Sequence, residues 1–317
     1  MMECWVELGD GSALTLPTVL KWKFSYGTGL PCDSFEVCCL WEGGQERALS
    51  AAARFYAEWQ GERVFTGVVD EYACICGEDG VRLELSGRGM AARLLDNEAL
   101  PCAYQRMTCA DLVKGHVAPY GVETVGGGDL PAVSGFAVGS GVSQWSVVED
   151  YVTGYGGRVP RFDRMGRLVL SPHADDKVLT LDSSVAVSGW EYREERYGVL
   201  SRVAVRRRSA WDTCWVENKE FLAQGGCASR VLAVPNETGD VAMRWTADYQ
   251  LKASRRERVR LTVTIPGAFS AWPGDLVEVR RGAFGANGTY RVARSEVSCT
   301  DDGVTTALVL GEPDSMI

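Results

Sequence analysis

The first hundred residues alternate apolar and polar positions with a period of two. Leu20, Trp22, Phe24 and Tyr26 are apolar, and Lys21, Lys23 and Ser25 between them are polar. Phe35, Val37, Cys39 and Trp41 repeat the pattern, Phe55, Ala57 and Trp59 alternate with Arg54, Tyr56 and Glu58, and Val81, Leu83 and Leu85 supply another apolar face. Such alternation belongs to antiparallel sheet with one face on a core. Gln60-Gly61 turns one strand into the next, over residues 64–72. Five or six such strands with glycine turns predict a small barrel or sandwich over residues 1–98.

The middle of the chain changes period. Thr108 is an N-cap signal, followed by Ala110, Leu112, Val113 and Val117, with His116 inside the helix and Pro119 stopping it. The stretch 126–141 is rich in Gly, Ser and Pro. Residues 130–148 carry no charge, but Ser, Gly and Gln interrupt them too often for a membrane span. They read as a flexible loop running into a helix. Ser143 caps that helix, which bears Trp145, Val148, Tyr151 and Val152 and ends near Gly156-Gly157. Residues 158–162 and 168–170, around Arg164-Met165-Gly166, predict a hairpin. The sum is a small α+β insert over residues 99–172.

Strands return over residues 173–317. Val203 and Val205 alternate with Arg202, Ala204 and Arg206. A helical stretch over 247–257 feeds Val259, Leu261, Val263 and Ile265, and Pro266-Gly267 ends that strand. Pro273-Gly274-Asp275 opens another at 276–279. Asn287-Gly288 predicts a turn between two strands, and Val304, Thr306, Leu308 and Leu310 form the last. A weak internal echo links the ends. Cys76-Gly77-Glu78-Asp79-Gly80-Val81 and Cys299-Thr300-Asp301-Asp302-Gly303-Val304 share their Cys, Asp-Gly and Val spacing. Turn chemistry alone produces such a match; so do two related β-barrels. The expected fold is therefore mainly β, two antiparallel barrel-like domains at 1–98 and 173–317 flanking the insert.

Composition narrows the class. Hydrophobic residues make up 46% and charged residues 24% of 317 residues, which are globular values. Thirty-three basic against 42 acidic residues give −9, which argues against nonspecific binding to DNA or anionic lipid. Residues 196–260 hold 13 Lys/Arg and 7 Asp/Glu, or +6, leaving 20 against 35, or −15, elsewhere. A basic band on an acidic body is either an assembly surface or a solvated face. Eleven cysteines without a Cys-x-x-Cys pair support no zinc ribbon or thioredoxin-like site; an odd count and strand positions predict free thiols in a reducing cytoplasm. The N-terminus lacks the basic region and apolar core of a signal peptide.

Catalytic signals are sparse. The two histidines, His116 and His173, belong to no metal or triad motif. No nucleophile elbow or phosphate-binding glycine loop occurs. Asp70-Glu71, Glu194-Glu195 and Asp301-Asp302 are paired carboxylates, the last better read as a turn. Arg206-Arg207-Arg208 follows a strand and has no helix-turn-helix or stacking aromatics around it, and Arg255-Arg256 with Arg258 decorates the predicted helix, so contact with an acidic partner subunit fits both better than nucleic acid. Ten tryptophans, including Trp5, Trp211, Trp215 and Trp245, exceed the needs of one small core and suit interface anchors.

Four segments together resemble the baseplate hub, or tail-tip, proteins of contractile-tailed phages: the late-control D family, the Mu-like hubs and those of Gram-positive prophage tails. Val64-Phe65-Thr66-Gly67-Val68-Val69-Asp70 with Leu85-Ser86-Gly87-Arg88-Gly89 looks like the family's first-barrel ending, although Gly89 stands where Asp is usual. Residues 108–121, 143–170 and 253–279 are similar to its helix, its helix and hairpin, and its closing strands. The resemblance implies a non-enzymatic structural protein without cofactor or metal. Three chains, each with two barrels, would form a homotrimeric ring of pseudo-sixfold symmetry between the sixfold tail tube and the threefold spike. Other baseplate proteins would adjoin it, and phage DNA would pass through its lumen without specific binding. The implied location is the virion baseplate, assembled in the host bacterial cytoplasm. Arg206, Arg207 and Arg208 are expected at or near a subunit contact. A tail-associated cell-wall hydrolase and a carbohydrate-binding β-protein are the alternatives.

Overall fold

The computed structural model describes residues 2–28, 33–44, 46–78, 80–175, 178–209, 213–234, 236, 238–255 and 258–313. The N-terminal segment forms β1 (Met2–Leu8), β2 (Ala13–Thr15), β3 (Val19–Gly27), β4 (Ser34–Leu40), a single helical turn α1 (Glu46–Leu49), β5 (Ala52–Trp59), β6 (Glu62–Gly77) and β7 (Gly80–Gly89). The predicted period is the one observed from Trp22 along β3 and from Leu83 along β7. Leu20 and Val81, expected on the apolar face, are instead exposed, Leu20 at a register shift between Val19 and Lys21. Cys4, Val6, Trp22, Phe24, Phe35, Val37, Phe55, Phe65, Leu83 and Leu85 share one core. Its centre is aromatic: Phe35 and Phe55 stack at 3.8 Å and 6°. Gln60 and Gly61 both take positive φ, 54° and 82°, as a two-residue hairpin turn of the mirror-image type requires.

After the turn α2 (Ala92–Leu95), the insert contains β8 (Cys102–Met107), α3 (Cys109–Leu112), β9 (Thr124–Val125), β10 (Val133–Val138), α4 (Gln144–Gly154), β11 (Arg161–Phe162) and β12 (Leu168–Val169). Thr108 caps α3 in a reciprocal box with Asp111, and Ser143 caps α4. Two expectations are corrected here. Pro119 does not stop the first helix. α3 widens into one π turn over Val113–Val117, and Pro119 then opens a 3-10 turn, Ala118–Tyr120, where its missing N–H costs nothing. The stretch 126–141 is not all loop, because β10 pairs antiparallel with β8 and buries Val133, Phe136 and Val138.

The remaining elements are β13 (Val178–Leu181), β14 (Gly189–Glu194), β15 (Arg202–Arg207), β16 (Thr213–Glu217), α5 (Lys219–Ala223), β17 (Ser229–Val234), α6 (Asp240–Arg255), β18 (Val259–Pro266), β19 (Leu276–Val279), β20 (Gly288–Thr300) and β21 (Gly303–Gly311). β19 and β20 pair, but through an eight-residue connection rather than a tight turn at Asn287-Gly288; Gly288 already lies opposite Val279. β15 is the centre of a separate three-stranded sheet, β16-β15-β17. α6 covers one of its faces, with Met243, Ala247 and Leu251 on Val203 and Val205. The helix begins at Asp240, earlier than the predicted 247, and Trp245 lies inside it.

The two ends of the chain meet in one 13-stranded sheet, whose main path is β14-β18-β21-β20-β3-β4-β7-β6-β5-β1-β2. The mainly β, antiparallel architecture is thus present, but as a continuous sheet; its pairing closes no barrel among the described residues. The join is β3–β20, in register from Trp22 opposite Cys299 to Gly27 opposite Arg294. The two echoing segments are the turns of its long hairpins, β6–β7 and β20–β21; Asp79 lies outside the described residues.

Candidate assembly surfaces

Because side chains alternate along each strand, the sheet that buries Trp22, Phe24 and Leu85 on one face gathers their polar neighbours on the other. Across β20, β3, β4, β7 and β6 these neighbours line a hollow of about 680 Å³. Its charged groups are Lys21 and Lys23 against Glu36, Glu71, Glu84 and Glu296, two against four. Both lysines are already matched: Lys21 pairs with Asp301, and Lys23 with Glu296 at 3.1 Å. The wall is therefore polar and net acidic. The sequence displays each alternation but not the pairing of strands some 270 residues apart that brings them together; Ser25 donates to Glu296 across 271 positions.

Part of the basic band is neutralised within the chain. Arg207, at the end of β15, donates from Nε to the Thr238 carbonyl and from Nη2 to Asp240, holding the start of α6. Arg202 pairs with Glu217, Arg255 with Glu312, and Arg258 with Glu194 at 3.0 Å. Arg256 lies outside the described residues. Arg206 and Arg208 flank Arg207 and are exposed. The outer face of this small sheet also carries exposed Trp215 and Val231, both opposite Ala204. Trp5 lies on the face of β1 opposite Cys4 and Val6, stacked on Tyr56 with the Arg63 guanidinium over both rings. Trp245 is partly exposed and stacks on Tyr249. Trp211 lies outside the described residues.

The candidate chemical groups are engaged structurally. His116 is buried in the insert. Its Nδ1 lies 2.8 Å from Gln144 Oε1 and its Nε2 2.9 Å from the Tyr104 hydroxyl oxygen, both at hydrogen-bond distance. Gln144 donates in turn to the Tyr120 hydroxyl and the Glu98 carbonyl. His173 packs on Gly274, which has no side chain to keep its ring away. Burial first, then the nearby Arg161 and Arg291, push its imidazole down to about 4. Asp70 is bound by Arg88, which also grips Asp96, both at 2.7 Å. Glu194 faces Arg258 and Glu195 faces Arg260. Arg291, only 1% exposed, holds Asp175 in two bonds and donates to the carbonyls of Gly274 and Pro313. The ten described cysteines are unpaired; Cys32 lies outside the described residues. Among the described residues no cluster of His, Cys, Asp or Glu has a metal-binding arrangement, and no helix is long and apolar enough to cross a membrane.

This mainly antiparallel fold matches those of solved phage tail proteins. The chain is similar to the tail protein of Neisseria meningitidis, with 20% identity, 99% of each chain covered and a TM-score of 0.80. It is also similar to the 43 kDa tail protein of prophage MuSo2 from Shewanella oneidensis, at 16% identity over 99% of this chain and 100% of that one, with a TM-score of 0.78. A prophage tail protein of Listeria monocytogenes matches at 10% identity over 98% and 94% of the two chains, with a TM-score of 0.63. No protein family and no curated protein sequence matches.

Proposed function

We propose that this chain is the hub of a contractile phage tail or tail-like particle. Three copies close into a ring that joins the sixfold tail tube to the threefold spike, with other baseplate proteins around it. The observation that carries the reading is the β3–β20 join. It fuses both ends of the chain into one sheet that presents two long hairpins and a polar hollow. Three such chains would line a conduit with six equivalent hairpins, matching a sixfold tube. An acidic wall repels the phosphate backbone, so DNA passes without being held. The role is structural rather than enzymatic, and its place is the virion baseplate, after assembly in the host bacterial cytoplasm.

A closed ring uses heterologous contacts, each protomer offering one surface to a different surface of the next. We place Arg206 and Arg208 at or near that contact, with Arg207 bracing α6 behind them. Their guanidinium groups would meet the acidic remainder of a neighbour and fix its register. The test is mass analysis of the chain mixed with its spike, or a particle reconstruction. Three copies are expected; six, one, or no association with tail components refutes the reading. Charge reversal at 206 and 208 should weaken assembly and leave the monomer folded.

A further inference from the structure

The outward face of the main sheet changes sign along β20. Glu296 and Ser298 open on the acidic hollow, and Arg294, two positions earlier on the same face, opens on a second hollow of about 240 Å³. Its floor is the cross-strand row Arg294, Val309, Thr262 and Glu191, running over β20, β21, β18 and β14. In the next row Arg193 stands directly opposite Arg260. Gly311, which follows Leu310 opposite Leu261, adds no side chain there. The lining thus holds three arginines and one glutamate.

Folding alone does not account for this arrangement. Like charges directly opposite each other in an antiparallel pair are destabilising, yet Arg193 and Arg260 occupy such a pair. Arg193 meets Glu191 at 2.9 Å, both side chains more than half exposed, and Arg260 meets Glu195 at 3.8 Å. Exposed pairs of this kind are weak and exchange readily with a stronger anion. Arg294 is exposed and has no ion-pair partner among the described residues. Arg193 and Arg294 start three strands apart, about 14 Å at about 4.8 Å per strand. One compact anion is too small to meet both guanidinium groups at that span, whereas two linked oxyanion groups reach both. A hollow smaller than the about 300 Å³ of sites for drug-sized ligands limits the occupant to a small molecule.

We propose that this hollow binds a small anion carrying two linked oxyanion groups, of the diphosphate class. Arg193 and Arg260 hold one group and Arg294 the other, through the planar forks by which guanidinium recognises phosphate oxygens. Glu191 is the competing carboxylate. The site is complete within one chain.

The experiment is calorimetric titration of the full chain with pyrophosphate, with orthophosphate and with a short DNA duplex at low ionic strength. One pyrophosphate per chain is expected, bound about tenfold or more tighter than orthophosphate, since each added charged hydrogen bond contributes about that factor. Arg294→Gln should weaken pyrophosphate binding about tenfold and abolish the preference over orthophosphate. Arg47→Gln, at an exposed arginine on α1, should leave both unchanged. Glu191→Gln should tighten binding about threefold or more, a gain that misfolding cannot imitate. Absence of pyrophosphate binding, equal affinity for orthophosphate, equal loss in the position 47 and 294 variants, or unchanged affinity in Glu191→Gln each overturns the proposal. Tighter binding of the duplex than of pyrophosphate also overturns it, since the face would then hold nucleic acid and not a small ligand.

Discussion

Replacing Gly87 with alanine tests how tightly the N-terminal sheet closes over its aromatic core. A methyl group at position 87 would stand 2.7 Å from Phe35 Cε1 and closer still to the Val68 carbonyl oxygen of the paired strand. Non-bonded carbons settle at about 3.5–4.0 Å. Either β6 and β7 must part, or the Phe35 ring must leave its stack on Phe55. Overpacking of this kind costs about 1–3 kcal/mol, and loss of an aromatic pair adds about 0.5–1.5 kcal/mol. The backbone oxygen cannot rotate away as a side chain can, so the upper part of the range applies, about 3 kcal/mol. With about 2–4 °C per kcal/mol for larger domains, melting should fall by roughly 6 °C or more. The matched control is Gly77→Ala at the end of the paired strand β6, where a methyl meets nothing within 4 Å; it should stay within about 0.5 kcal/mol of the parent. Thermal melts of both variants, followed by tryptophan fluorescence, decide the matter. Equal melting temperatures would refute the packing argument.

Arg291→Met should cost about 3 kcal/mol or more, since it leaves Asp175 and two carbonyls without their buried donor. Arg291 holds the Asp175 carboxyl below its ordinary value, so the parent's advantage is full above about pH 4 and shrinks as pH falls through the depressed value; urea titrations at pH 7 and pH 3 that show no narrowing would contradict this. Gln144→Leu strands His116 and the Tyr120 hydroxyl and should destabilise the insert by about 1–3 kcal/mol in chemical denaturation. The fold favours neutral His173, so its contribution is complete above pH 6.5 and lost as pH falls to about 4. His173→Gln should flatten the stability–pH curve in that window relative to the parent, and parallel curves would remove His173 as the cause.

The features legible in the sequence are those fixed by neighbours in the chain. Thr108 with Asp111, Ser143, and Gln60-Gly61 each place an element end through bonds spanning three residues or fewer. The alternation of Trp22, Phe24 and Tyr26 gives the buried face of β3 for the same reason. β10 was hidden because Gly135, at φ 70°, breaks the alternation between Val133 and Phe136. The small β16-β15-β17 sheet was hidden differently. Its strands alternate like those of the main sheet, and alternation names a buried face without naming the partner that covers it. Here the cover is α6, held against β15 through Arg207. The β3–β20 join escaped for that reason too.

The same limit governs charge. A net +6 over residues 196–260 suggests a basic surface, yet part of that charge is spent on pairs within the chain. Arg202, Arg207, Arg255, Arg258 and Arg260 each face a carboxylate of the same chain. Exposed pairs of this kind contribute little stability individually. Arg258, only 7% exposed, is different, because Glu194 and Gln224 satisfy a cation that could not otherwise be buried. Of these arginines, Arg255, which reaches from α6 to Glu312, and Arg258, which reaches from beside β18 to Gln224, tie the α6 unit to the main sheet. Charge directed outward comes from groups without such a partner, Arg206 and Arg208 among the exposed cations and the net acidic hollow among the anions. A head-to-tail ring would need both kinds, since each protomer must offer unlike surfaces to its two neighbours.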